Sequence, residues 1–410
     1  MLEDVYRREW ALLVASLARR FGLDIAEEAA GEAFLAAVEH WRDGPPPNPG
    51  GWLMTTASRK AIDRVRRDSR REEKYAAAVV LGTARTTEDR TADDLSEQCS
   101  PGGGPPEDDR LRLMFTCCHP ALSPDARVAL TLRLVGGLTA GQIARGLLQS
   151  EAAVGQRITR AKAKIASARI PYRIPERADL PERVDTVLAA LYLVFNEGYL
   201  PGGEQTLRPD LTTEALRLTR LSAELLPQEH EVAGLLALML LTEARRASRV
   251  SSDGVLVTLT EQDRGGWDRA QIDEGHAIVR GLIASGEPPG RYQLEAAISA
   301  VHTYAADIRD TDWEQLDQLY DHLFAVHPSP VVALNRAVVR AELDGPRVAL
   351  AEVDRLDLDT YHAWHATRAD LLRRLGRSAE ARGAYDAAIA LAANPAEIRY
   401  LQRRLASLPS

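Results

Sequence analysis

The residues from Trp52 to Arg71, WLMTTASRKAIDRVRRDSRR, admit one regular structure. Leu53, Ala57, Ala61, Ile62 and Val65 recur at helical spacing, so one face packs while Arg59, Lys60, Arg64, Arg66, Arg67, Arg70 and Arg71 stay solvated. Only Asp63 and Asp68 oppose that charge. Such a face favours a polyanion, because every phosphate it neutralises releases condensed counterions. The plain alternative is an exposed, arginine-rich helix with no ligand.

The rest of the chain shows that this patch is local. Lys and Arg number 51 against 59 Asp and Glu, for a formal net charge of −8, and the basic clusters all fall within the first 173 residues. Steering of a polyanion depends on such clusters more than on the total. Alanine, leucine and arginine dominate and β-branched runs are rare, which predicts an all-α protein. One exception is expected at Ser252-Asp253-Gly254, where a turn leads into Val255, Leu256, Val257 and Leu259 as a strand or small hairpin. Cys99, Cys117 and Cys118 cannot form a disulfide framework, so a reducing cytoplasm fits. No charged leader precedes an apolar core, and the longest apolar run, Val232 to Leu241, falls short of the ~20 residues that span a bilayer. Neither export nor a membrane partner is expected.

A chain of 410 residues implies two to four domains. Residues 1–75 form the first: two amphipathic helices over 5–41, with Trp10, Leu13, Val14, Leu17 and Phe21 facing Ala29, Ala33, Phe34, Ala37, Val38 and Trp41, then the Pro45–Pro49 loop and the basic helix. Residues 76–108 end in SPGGGPPEDD and carry many carboxylates, the composition of a flexible tether. Residues 109–173 hold a second basic module. After Ser123-Pro124, Val128, Leu130, Leu132 and Leu134 mark a buried helix, and LTAGQIARGLLQSEAAVGQRITRAKAKI follows with the layout of a helix-turn-helix. Thr139 caps its first helix; its second buries Val154, Ile158, Ala161 and Ile165 and shows Gln156, Arg157, Arg160 and Lys164. No acidic residue occurs from Ala152 to Ile174, which favours DNA over an ordinary helix pair. Residues near the start of such a second helix reach base edges in the major groove. Residues 181–286 read as a helical domain, and 287–410 as stacked hairpins with Gly345 and Gly376 at the turns and Ala381, Tyr385 and Ala388 at tetratricopeptide-like spacing.

Two basic modules joined by an acidic tether resemble regions 2 and 4 of an extracytoplasmic-function sigma factor of the sigma-70 family. DIAEEAAGEAFLAAVEHW at 24–41 looks like the acidic helix of region 2, NPGGWLMTTASRKAIDRVRR like its promoter-reading helix, and residues 139–165 like the helix-turn-helix of region 4. FTCCHPALS, LYLVFNEGY, GLLALMLLTEAR, PSPVVALNRAV and RADLLRRLGR resemble the subgroup with a long C-terminal helical extension carrying tetratricopeptide-like repeats. The resemblance implies a division of labour. Asp24, Glu27, Glu28 and Glu32 would dock on the β′ clamp helices of core RNA polymerase, Phe34 and Trp41 serving the core. Asn48 in its loop with Arg59, Lys60, Asp63, Arg64 and Arg67 would face the minus-10 region and its melted non-template strand. Glu151, Gln156, Arg157, Arg160 and Lys164 would read the duplex minus-35 element, Ser150 acting as a cap. The polymerase β flap is a further implied partner, and the extension a built-in regulator that offers its repeats to a regulatory protein.

Neither a catalytic site, a cofactor site nor a metal site is expected. Cys117, Cys118 and His119 lack the ligand spacing of a zinc site, and His276, His302, His322, His327, His362 and His365 lack the metalloprotease spacing. Glu197, Glu243, Arg246, Asp263, Arg264 and Trp267 gather in the extension, where ion pairs that fix helix packing explain them as well as a pocket does. A ligand-responsive helix-turn-helix regulator acting without polymerase is the competing function. It would need only the second basic module.

Overall fold

The computed structural model describes residues 2–42, 44–79, 106–147, 149–199 and 209–409. The protein is all-α, and it divides into two compact units, Met1–Ala190 and Leu191–Ser410.

In the first unit α1 (Leu2–His40) is two helices run together, bent at Gly22, whose φ is +80°. The first half buries Trp10, Leu13, Val14 and Leu17 as its periodicity requires, and the second buries Ala29, Ala33, Phe34 and Ala37. Val38 departs from expectation. It is 59 % exposed and Leu35 is 68 % exposed, because the inward stripe is carried by small alanines and turns these two larger residues away from α2 (Pro49–Val79). That helix packs on α1 through Leu53, Ala57 and Ala61, all fully buried. The bulk of the acidic tether, 80–105 with Cys99, lies outside the described residues, and the chain resumes in α3 (Pro106–Cys117).

The second module follows as α4 (Pro124–Leu130), a π-helical turn (Thr131–Val135), α5 (Ala140–Gly146) and α6 (Glu151–Ser167). Each start is written in local chemistry. Ser123 caps α4, Thr139 and Gln142 form a reciprocal capping box on α5, and Ser150 accepts from the Ala153 amide at 3.2 Å on α6. Val154, Ile158, Ala161 and Ile165 are buried as a stripe. Helix α7 (Leu180–Tyr199) closes the unit and runs on past its boundary.

In the second unit, α9 (His230–Glu243) is buried on all sides, as its unbroken apolar run implies. It packs against α8 (Pro209–Leu225), α10 (Arg269–Ala284) and α11 (Arg291–Tyr304). Glu231 reaches from α9 to accept from the Tyr292 and Gln293 amides at 2.9 and 3.1 Å, capping a neighbouring helix across the core. From α12 (Trp313–Val326) through α13 (Pro330–Leu343), α14 (Pro346–Val353), α15 (His362–Arg374), α16 (Ser378–Leu391) and α17 (Pro395–Ala406), each helix packs on the next. Their shared core includes Leu334, Ala349, Leu372, Ala381 and Tyr385.

The hairpin expected after Ser252 is reduced, among the described residues, to one antiparallel bridge between Val250 and Leu256 around Gly254. The reason lies in the hydrogen bonds. The Leu256 amide donates to the Ala396 carbonyl at the start of α17 instead of extending a ladder.

Candidate nucleic-acid interface

Helix α2 carries its cations in two environments. Arg59 and Arg67 are exposed, and among the described residues Arg67 donates to the Asp63 carbonyl at 3.4 Å. Lys60 and Arg64 instead lean back on the acidic half of α1. Lys60 Nζ lies 3.3 Å from Glu32, and Arg64 lies 2.8 Å from Glu28 and 3.0 Å from Asp68. The hydrogen bond to Asp68 and the charge of Glu28 push the Arg64 pKa up. Asp63 is exposed, and Asn48 accepts from the Gly51 amide at 2.9 Å, so its loop is held at the start of α2. Trp52 sits beside Trp41 with ring centroids 5.2 Å apart, half-buried, as expected of a packing residue.

On α6, Glu151, Gln156, Arg160 and Lys164 are exposed. Arg157 is half-buried; it donates to Gln149 at 2.7 Å and lies 3.5 Å from Asp125. Gln156, Arg157, Arg160 and Lys164 line one side of an open cleft of about 430 Å³ whose other wall is Leu122, Ser123 and Ala126. Four of the five residues expected to read the minus-35 element therefore share one groove. Glu151 stands at the helix start outside that lining.

The four carboxylates of α1 do not form one free surface. Glu28 and Glu32 pair with α2, as described, while Asp24 and Glu27 turn to the second module. Glu27 is bonded by the Arg133 guanidinium and by Lys162 Nζ, and Lys162 also lies 2.9 Å from Asp24. Burial works against the Lys162 charge, but the Coulombic pull and hydrogen bonds of Glu27, with Asp24 behind them, raise its pKa.

Around this cluster the Tyr6 hydroxyl donates to the Gly137 carbonyl at 2.6 Å and Trp10 Nε1 to the Arg133 carbonyl at 3.2 Å. Burial raises the Tyr6 pKa to about 12. Gly137 has φ +76°, and a Cβ there would stand 2.9 Å from the Trp10 ring, so glycine serves both the turn and the close approach. The two basic modules are thus latched together through α1.

Arg133 and Lys162 had no role in the sequence reading. Lys162 follows Ile158 by four positions and precedes Ile165 by three, so it borders the buried stripe of α6, and that placement marks it as a packing cation. The exposed apolar pair Leu35 and Val38 was missed as well. Cys117 and Cys118 are buried free thiols, with Cys118 Sγ 3.3 Å from Thr131 Oγ1 and its pKa pushed up to about 11 by burial. In the extension Glu243 accepts from Thr212 at 2.9 Å and pairs with Arg246, and Asp263 caps the turn at Gly265. No helix among the described residues is long and apolar enough to cross a membrane.

Three regions match known families: residues 7–71 match Sigma-70 region 2, residues 112–165 match Sigma-70 region 4, and residues 183–282 match a family of unknown function, DUF6596. The chain is 44 % identical over 397 residues to the uncharacterized protein R00370 of Rhizobium meliloti (strain 1021), covering 96 % of this chain and 92 % of that one. It is 31 % identical over 154 residues to the ECF RNA polymerase sigma factor SigK of Mycobacterium ulcerans (strain Agy99), covering 36 % of this chain and 72 % of that one. No solved structure matches. With both sigma regions in their places and a helical extension beginning in the DUF6596 match, the chain belongs to the extracytoplasmic-function sigma factors of the sigma-70 family.

Proposed function

We propose that this protein binds core RNA polymerase, confers recognition of two promoter elements, and is regulated by its own extension. Glu28 and Glu32, with the exposed Leu35 and Val38 beside them, dock on the β′ clamp helices, and Asp24 and Glu27 join that surface once the latch opens. Asn48, Arg59, Lys60, Asp63, Arg64 and Arg67 face the minus-10 region and its melted strand. Glu151, Gln156, Arg157, Arg160 and Lys164 read the minus-35 element, and the same module meets the β flap. The protein acts in the bacterial cytoplasm, joining the nucleoid as part of the holoenzyme.

The observation that carries this reading is α6, a capped second helix of a helix-turn-helix with Gln156, Arg160 and Lys164 exposed along an open cleft. Distance adds a condition. Elements about 25 base pairs apart are separated by roughly 85 Å of duplex, at about 3.4 Å per pair. Lys162 of one module touches Asp24 of the other, so the latched form is the one held off the promoter.

Run-off transcription with core polymerase tests the proposal. The full chain is expected to give discrete promoter starts. Arg59→Ala with Arg67→Ala should impair opening and spare core binding, and Gln156→Ala with Arg160→Ala should remove minus-35 dependence. No promoter-specific start, from the full chain or from one ending near residue 175, would overturn it. Unchanged transcription and polymerase affinity after that truncation would remove the regulatory role of the extension.

A further inference from the structure

Near the end of α9 the second unit gathers three arginines, Arg245, Arg249 and Arg264. The Arg245 guanidinium makes no hydrogen bond and no ion pair among the described residues, although it is sunk deeply enough for burial to lower its pKa. Arg249 lies in its field and stacks its guanidinium 4.0 Å above the Tyr199 ring. Arg264 spends one nitrogen on the His302 and Ala305 carbonyls at the end of α11, and its Cζ lies 4.9 Å from the Trp267 ring centre. Among the described residues its other terminal nitrogen is buried without a hydrogen-bond partner, as are Trp267 Nε1, His302 Nδ1 and the Tyr199 hydroxyl.

Electrostatic coupling links these groups to one another: Arg245 acts on His302 and on Arg264, and Arg264 acts on His302. Two of the nearby carboxylates have partners of their own, although Glu243 Oε2 is buried with none among the described residues. Glu243 is taken by Arg246 and Thr212; Asp307, within range of Arg264, is bonded by Arg309 at 2.8 Å. Asp310 also lies within range of Arg264. Buried donors left unpaired are costly and rare, and several in one place call for an acceptor.

The geometry points to a binding site for a small oxyanion, a phosphate or carboxylate group, held by Arg245, Arg249 and Arg264 with Trp267 Nε1 and the Tyr199 hydroxyl completing its hydrogen bonds. Guanidinium forks match either group, and the two flanking rings suit a ligand with a flat or apolar body. The site lies in the extension and extends the function proposed above by giving the regulator something to sense.

The full chain is titrated with inorganic phosphate and, in a second arm, with malonate, against sodium chloride at matched ionic strength. Melting temperature and the indole resonance of Trp267 are followed. One anion should raise the melting temperature beyond the chloride control and shift the Trp267 signal, and which of them does so assigns the class. Arg249→Gln should weaken that binding at least tenfold while the helical signal stays unchanged. Arg245→Met should abolish the binding yet raise the melting temperature of the ligand-free protein, since it removes an unpaired buried charge. Responses equal to the chloride control, or responses that survive in both variants, would overturn the proposal.

Discussion

At the scale of single residues, His302 reports how far the second unit keeps charge from entering its interior. Burial, with Arg245 and Arg264 nearby, lowers its pKa to about 4 from an ordinary 6.5. The unfolded chain therefore binds this proton first, so stability is complete above about pH 6.5 and falls as pH drops toward 4. The loss from this group is about 3 kcal/mol, at roughly 1.4 kcal/mol per unit. His302→Gln should flatten the acid limb of a stability curve measured by urea unfolding between pH 7 and 4. Gly234 is a second sensitive position. A Cβ there would stand 2.7 Å from the Gln293 backbone nitrogen, where α11 crosses α9, and backbone cannot step aside as a side chain can. Gly234→Ala should destabilise the full chain by about 1–3 kcal/mol, read by thermal or chemical denaturation. Neither property is legible in the chain order: the sequence marks His302 as one scattered histidine and Gly234 as part of an apolar run.

Among the elements, α1 holds the others in place, because its carboxylates answer cations from two different helices. Glu27 is the pivotal one, with a side chain 12 % exposed against Lys162 at 11 %. Removing one member of a buried pair strands the rest, at about 3 kcal/mol. Glu27→Gln should therefore separate the two basic modules, seen as a fall in energy transfer between dyes on exposed positions of α2 and α6, with helix content retained. If the transfer is unchanged, Glu27 is not what holds them. The secondary structure of these elements was readable in advance. Apolar spacing and the cap residues Ser123, Thr139 and Ser150 give the helices of the second module, and the basic face of α2 gives its exposure. The pairing was not readable, because Glu27 and Lys162 are far apart in sequence and nothing local records that they meet. Val38 misled for a related reason: alanines can carry a buried stripe by themselves when two helices approach closely, and a larger neighbour is then left outside.

For the whole molecule, the length of the segment 80–105 bounds how far the two modules could separate on the proposed opening. Residues 80–105, at most ~3.3–3.6 Å each, reach roughly 90 Å, close to the separation of the two promoter elements. Deleting ten residues from that segment removes about 35 Å of reach. Such a variant should keep core-polymerase binding but lose starts at promoters that need both elements, with an extended minus-10 promoter as the control. The latch has a consequence of another kind. If closure is favoured by about 3 kcal/mol, only about one molecule in a hundred is open at any moment, and polymerase meets the protein as though it were a hundredfold more dilute. Each 1.4 kcal/mol taken from the Glu27 cluster raises the open fraction about tenfold. A cell could then hold this factor as a silent stock, and the threshold for its promoters would be set by the closing equilibrium together with the number of copies made.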